Sequence, residues 1–132
     1  MIVIALPMAS ALGASAGLQQ NGKNDVKQNM PDSFAQADEY IGLGPERNRY
    51  LMWTNDGVHI MWGFYGNGYF IGYDDQGKQA YGVYGNRSFT GYYDGELFNG
   101  KTRGFNWKAE GLFHESETSG KLVLFPVKPT PQ

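Results

Sequence analysis

The chain has 132 residues, which is enough for one ordinary domain and too few for two. Its 11 basic and 13 acidic residues nearly balance, and no stretch is dense in lysine or arginine, so we expect no nucleic-acid partner. The absence of cysteine excludes disulfide frameworks, thiolate catalysis and cysteine-bound zinc.

The first 16 residues predict a secretory signal peptide. An uncharged apolar run ends in Ala14-Ser15-Ala16, small residues that a signal peptidase accepts, although no lysine or arginine precedes the run. A membrane anchor or a buried helix is the alternative, but Pro7 and the many small residues make a poor membrane-spanning helix. We therefore expect a secreted or periplasmic protein that has no membrane association after cleavage.

A linker and a short helix are predicted next. Residues 17–31 are polar without an apolar period, which is typical of a flexible linker. Ser33, with Gln36 three residues later, matches a capping box, and the apolar residues that follow recur at helical spacing until Gly42. We expect a helix at about 33–41 that plugs or covers an edge of the following sheet.

From Arg49 onward the apolar period changes from helical to two, which is typical of strands. Short alternating segments are separated by the turn sequences TNDG, GNG, DDQG, GNR and DG. The longest alternating run, KTRGFNWKAEGLFHE, predicts one long strand that bends at Gly111 or two strands joined by a kink. Residues 32–132 are therefore predicted to be one all-β domain. We expect an antiparallel meander of seven or eight strands, forming a small barrel or curled sheet, preceded by one short helix.

Two stretches of the meander, IGYDDQGKQAYGV and YDGELFNGKTRGF, have similar glycine spacing. Their Gly-Lys pairs, Gly77-Lys78 and Gly100-Lys101, lie 23 positions apart. The pattern in YDGELFNGKTRG resembles the MORN repeat, whose units are β-hairpins of about this period. The resemblance covers about residues 70–105, and the first copy has Phe70 where the repeat has tyrosine. It implies hairpin units only, and no functional residue is carried over from it.

Tryptophan and tyrosine are more abundant than the core of such a domain needs. Flat rings with a polar edge can stack on sugars or line a pocket for an apolar ligand. The alternative for any single tyrosine is cross-strand packing on the outside of a barrel. We predict a non-catalytic binding module with an aromatic surface or pocket for a carbohydrate or a small amphipathic ligand, contacted by Trp62, Trp107, Tyr73 and Tyr84.

Catalytic and metal signals are weak. The sequence has no nucleophile elbow, phosphate-binding glycine loop or dinucleotide fingerprint, so the prediction leans away from an enzyme. Glu110 is the weak catalytic candidate, because it lies mid-strand and could act as an acid or base if it faced a barrel interior. His59 and His114 would bind a metal only if they converged with a carboxylate such as Glu110 or Asp56. We expect no metal and no cofactor.

Two other functions remain open. The chain could be a structural or assembly subunit of an extracellular or virion-type homo-oligomer, whose aromatic surface makes protein contacts. It could also be a small barrel isomerase or cyclase, in which Glu110 and a nearby histidine or tyrosine transfer a proton. A native mass spectrum separates the first from a ligand-binding monomer, and turnover of a Glu110→Gln variant tests the second.

Overall fold

The computed structural model describes residues 30–42 and 46–127. The predicted signal peptide, 1–16, and nearly all of the predicted linker, 17–31, lie outside the described residues. Within these two ranges, no helix is long and apolar enough to cross a membrane.

The helix α1, Phe34–Ile41, begins and ends where its sequence signals indicate. The Ser33 hydroxyl accepts a hydrogen bond from the backbone N–H of Gln36 at 3.1 Å, and the Gln36 side-chain oxygen accepts one from the N–H of Asp32 at 2.6 Å. Gly42, at φ 100°, follows the last helical residue. The predicted capping and the predicted helix are therefore confirmed.

The strands follow one another as a meander that closes on itself. They are β1 Asn48–Thr54, β2 Ile60–Gly66, β3 Tyr69–Asp74, β4 Gln79–Gly85, β5 Ser88–Tyr93, β6 Glu96–Arg103, β7 Asn106–Glu110 and β8 Thr118–Phe125. Each strand pairs antiparallel with the next, and β8 pairs with β1. This confirms the predicted all-β meander and decides between its two forms. The sheet is a closed barrel, which leaves no unpaired edge.

Helix α1 packs on the outer face of β2, β3 and β4. The ring of Phe34 lies 5.3 Å from that of Tyr73, and the ring of Tyr40 lies 4.9 Å from that of Tyr69, measured between centroids. The predicted role of this helix, to plug or cover an edge, is wrong, because a closed barrel has no edge and the helix lies on its outer face.

The run KTRGFNWKAEGLFHE is not one long strand. β6 ends at Arg103, the turn Gly104-Phe105 reverses the chain, and β7 ends before Gly111. Gly104, at φ 61°, allows the reversal. The turn shifts the parity, because Thr102 pairs with Trp107 and Gly100 with Ala109, so inward residues are even-numbered on β6 and odd-numbered on β7. Phe105 extends the odd-numbered apolar pattern of β7 in the sequence, but it lies in the turn and is 73% exposed, whereas Trp107 is buried.

Glycines occupy interior positions along six of the strands: Gly63, Gly72, Gly82, Gly91, Gly100 and Gly120. A Cβ at Gly63 would overlap the carbonyl oxygen of Ile71 on the neighbouring strand. The ring of Phe70 lies over Gly82 and Gly91, where a Cβ would come within 2.9 and 3.0 Å of its Cζ. These glycines therefore allow close strand approach and let aromatic rings lie along the inner wall.

The barrel has two ends that differ in their connections. The closed end comprises residues 55–59, 75–78, 94–95 and 111–117, and the open end comprises the two-residue turns 67–68, 86–87 and 104–105. At the closed end, Leu112 is 0% and Phe113 is 3% exposed, because the short 3-10 segment Leu112–His114 folds into the barrel. The core therefore fills the closed end.

Candidate functional site

A cavity of about 350 Å³ lies inside the barrel and reaches the open end. Apolar side chains form its inner wall, including Met52, Met61, Phe70, Phe98, Trp107 and Leu122. Eight-stranded barrels are wide enough to hold one small ligand, and this volume is in the range of small-molecule pockets. The cavity is therefore the strongest candidate site in the described part of the chain.

The polar atoms of the inner wall already have partners. The indole N–H of Trp107 donates to the carbonyl oxygen of Lys121 at 2.9 Å, so its ring presents only apolar surface to the cavity. The Tyr50 hydroxyl donates to the carbonyl oxygen of Ile71 at 2.9 Å, and burial raises the pKa of Tyr50 well above its usual range. A ligand would therefore meet an apolar surface here.

Two tyrosines line the mouth. The rings of Tyr65 and Tyr84 meet edge to face, with centroids 5.9 Å apart and an interplanar angle of 80°. Burial, and secondly the neighbouring Tyr84, raises the pKa of Tyr65, so its hydroxyl is protonated at neutral pH. Neither hydroxyl is bonded to another residue of the described ranges. Both are placed to bond a polar group of a ligand.

A cation also lies at the mouth. Arg87 occupies the second position of the two-residue turn between β4 and β5, and it lines the cavity. The backbone N–H of Thr102 on β6 donates to the carbonyl oxygen of Arg87 at 2.8 Å, which fixes the turn against the neighbouring strand. Among residues 30–42 and 46–127, no carboxylate forms an ion pair with its guanidinium.

The four predicted contact residues form two groups on opposite sides of the barrel wall. Trp107 and Tyr84 line the cavity. Trp62 and Tyr73 are cross-strand partners on the outer face, where Trp62 is 42% exposed and Tyr73 packs against Phe34 of α1. The structure therefore brings Trp107 together with Tyr84, and Trp62 together with Tyr73, but it does not bring all four residues into one site.

Glu110 lies on the outer surface and is exposed. Trp107 and Ala109 face inward from β7, so the alternation directs position 110 outward. The interior location on which its predicted acid–base role depended is not present. Among the described carboxylates, the one that faces the interior is Asp74, which is 4% exposed at the closed end.

Asp74 is fully hydrogen-bonded. Its carboxylate accepts from the Tyr93 hydroxyl at 2.6 Å, the Lys78 N–H at 2.8 Å and the Gln76 N–H at 2.9 Å. Burial alone would raise its pKa, but these hydrogen bonds and the Lys78 charge outweigh burial and lower the pKa of Asp74. Burial and the bond to Asp74 raise the pKa of Tyr93 well above its usual range. The pair stabilises the closed end.

The two histidines lie at the closed end in separate environments. The His59 ring stacks on Phe113 at 4.5 Å, with an interplanar angle of 5°. The ring nitrogens of His114 lie 2.8 Å from Glu96 and 2.9 Å from Asp94, so they contact two different carboxylates. No group of three histidine, aspartate or glutamate side chains in the described residues is arranged to hold a metal ion.

A second, polar cleft of about 370 Å³ lies outside the barrel near the closed end. Both acidic and basic side chains line this cleft, namely Asp56, His59, Lys108, Glu115 and Glu117. The Asp56 carboxylate already accepts from the Thr54 hydroxyl at 2.6 Å and from the Val58 N–H at 3.0 Å. The barrel cavity is therefore the better candidate.

Tyr65 and Arg87 line the cavity mouth but were not among the predicted contact residues. Tyr65 and Met61 lie on the same face of β2. Assigning the Met61 face of this strand to the barrel interior would therefore have identified Tyr65. The signal for Arg87 is the turn Asn86-Arg87, in which arginine stands where a two-residue hairpin normally has glycine.

A comparison with known proteins finds no family model, no characterised protein and no solved structure that matches this chain. The resemblance of residues 70–105 to the MORN repeat therefore stays a prediction. In the two stretches that carry it, Gly77 and Gly95 lie in turns, whereas Gly72 and Gly100 lie inside strands.

Proposed function

We propose that this protein is a non-catalytic binding module that holds a small amphipathic ligand inside the barrel. The observation that carries the proposal is the apolar cavity of about 350 Å³, with bonded polar atoms on its inner wall and available polar groups at its mouth. A carbohydrate fits less well, because its hydroxyls would lose hydrogen bonds to water against such a wall. The uncharged N-terminal run supports a secreted or periplasmic location.

The expected affinity follows from the size of the apolar part. Each methylene group that is buried contributes about 0.8 kcal/mol, against the loss of freedom on association. A ligand with one medium-length alkyl chain is therefore expected to bind with a Kd on the order of micromolar. The polar end of such a ligand would lie near Tyr65 and Tyr84.

Calorimetric titration with the neutral ligand decanol tests the proposal. We expect saturable binding by the wild-type chain and a loss of at least about tenfold in Leu122→Trp, because the larger ring fills the cavity. Val123→Trp is the matched control, since Val123 is the next residue on the same strand and pairs on the outer face with Leu51. The absence of saturable binding, or an equal loss in both variants, would overturn the proposal.

The outer surface supports a second candidate, a subunit of a homo-oligomer. Trp62 and Phe125 are 42% and 49% exposed, and Leu51 lies between their strands as the cross-strand partner of Trp62. Contiguous exposed apolar surface usually marks a contact site. Sedimentation of the wild-type chain and of Trp62→Lys tests this candidate. An oligomer that the substitution dissociates supports it, and a wild-type monomer at micromolar concentration rejects it.

A further inference from the structure

The carboxylates of residues 48–127 gather at one end of the barrel. Between residues 48 and 127, every carboxylate lies in or beside a closed-end connection: Asp56, Asp74, Asp75, Asp94, Glu96, Glu110, Glu115 and Glu117. At the open end, Arg87 lines the mouth, and Lys101 and Arg103 lie on β6 on either side of Thr102, which bonds the Arg87 backbone. Helix α1 adds Asp38 and Glu39 near the open-end turn 67–68, where Asp38 is paired with Arg47. The strands and turns of the barrel contribute only cations at the mouth, which favours anions there.

The backbone at Arg87 is unfavourable for a residue with a side chain. Its φ is 63°, in the left-handed region that favours glycine. The neighbouring turn at the same end, Asn67-Gly68, has glycine at the corresponding position, with φ 88°. Backbone strain of this kind persists mainly where the side chain has a function. Arg87 lines the cavity mouth, and its guanidinium has no ion pair within the described ranges, so ligand recognition is such a function.

We infer that the ligand is a single-tailed amphipathic anion, whose head group binds the Arg87 guanidinium at the mouth while its tail occupies the cavity. This inference rests on the proposed function and adds the charge of the ligand. A guanidinium matches the geometry of carboxylate and phosphate oxygens through two parallel hydrogen bonds. The hydroxyls of Tyr65 and Tyr84 add donors beside it. The apolar inner wall accepts the tail.

Three probes with the same tail test the inference: decanoate, decanol and decyltrimethylammonium, each used below its critical micelle concentration. Calorimetry at low ionic strength should show decanoate binding about tenfold more tightly than decanol, with the cation weakest. The preference should decrease at about 0.5 M salt, because the mouth is exposed and its charges are screened.

Variants of Arg87 make the test specific. In Arg87→Gly we expect the decanoate preference to disappear while the melting temperature rises by about 4 °C, since glycine suits the left-handed turn. Arg87→Lys should keep part of the preference. Lys108→Gln, which removes one positive charge from the outer face of β7, should keep all of it.

The outcomes separate the two proposals. Equal affinity of the wild-type chain for decanoate and decanol, or a preference that survives in Arg87→Gly, would overturn the anionic ligand and leave the binding module in place. Failure of all three probes to bind would reject the binding module itself, and the anionic ligand with it.

Discussion

The closed end and the open end of the barrel share one strand alternation but use their interior positions differently. At the closed end, Leu112 and Phe113 fill the interior, and Asp74 and Tyr93 bond each other at 2.6 Å. At the open end, the corresponding space is the cavity. The connections explain the difference, because residues 111–117 are long enough to fold inward, whereas two-residue turns are not. One end therefore contributes stability while the other remains available to a ligand.

The interior glycines lie in the strands between the two ends, and replacing one of them should have the largest effect on stability. A Cβ at Gly63 would overlap the carbonyl oxygen of Ile71, so we expect Gly63→Ala to lower the free energy of unfolding by about 4 kcal/mol or more. Gly66→Ala is the matched control on the same strand, since a Cβ there would lie 3.5 Å from Ile41, an ordinary contact. Urea denaturation measures both, and similar losses would contradict this account of strand approach.

Removing the residue that fills the closed end should have the next largest effect. Phe113 is 3% exposed and contacts His59 and Tyr93 through its ring, so Phe113→Ala should cost about 3 kcal/mol of stability. Phe105→Ala, at an open-end turn where the ring is 73% exposed, should change stability by less than about 0.5 kcal/mol. Thermal and urea unfolding compare the two. Equal losses would remove the contrast between a filled and an unfilled end.

The carboxylate of Asp74 should make the closed end sensitive to acid. Its pKa is lowered by folding, so its contribution is present above the unfolded-state pKa of about 3.9 and is lost as the pH falls through the folded-state pKa. We expect Asp74→Asn to cost about 1–2 kcal/mol at pH 7 and progressively less as the pH falls below about 4. Urea unfolding across this pH range measures the difference between the two chains. A difference that does not change with pH would show that the Asp74 charge contributes nothing.

Much of the fold could be predicted from the sequence, because its signals are local. The change of period after Arg49 and the turn residues between the strands identified the meander, and Ser33 with Gln36 identified the start of α1. Closure depends on the pairing of β8 with β1, at the two ends of the sheet, and no local pattern reports that contact. The run from 101 to 115 was misassigned for a local reason, since Phe105 in the turn falls on the same odd-numbered apolar pattern as Trp107 and Ala109 of β7 and so conceals the reversal of the chain.

The site was less predictable than the fold, because aromatic composition does not tell which side of the wall a ring faces. Tyr84 and Trp107 line the cavity, whereas Trp62 and Tyr73 have the same chemistry and lie outside it. Inward and outward positions became distinct only when the register was known. An arginine at position 87, where a two-residue turn normally has glycine, was the local signal that could have identified the cavity mouth.

The smallest expected effect concerns His114, and it tests whether the two ends are independent. Its hydrogen bonds to Glu96 and then to Asp94 raise its pKa above 6.5. The stabilising contribution is therefore fully present below the unfolded-state pKa of about 6.5 and is lost as the pH rises through the folded-state value. An NMR titration should give a midpoint above 6.5 for the wild-type ring and a lower midpoint in Asp94→Asn, which keeps a residue suited to the turn before Gly95. A wild-type midpoint at or below 6.5 would contradict the bonded geometry.

Because His114 lies at the end opposite the cavity mouth, decanol affinity should not change over the same pH range. A parallel change would show that the closed end and the cavity respond together.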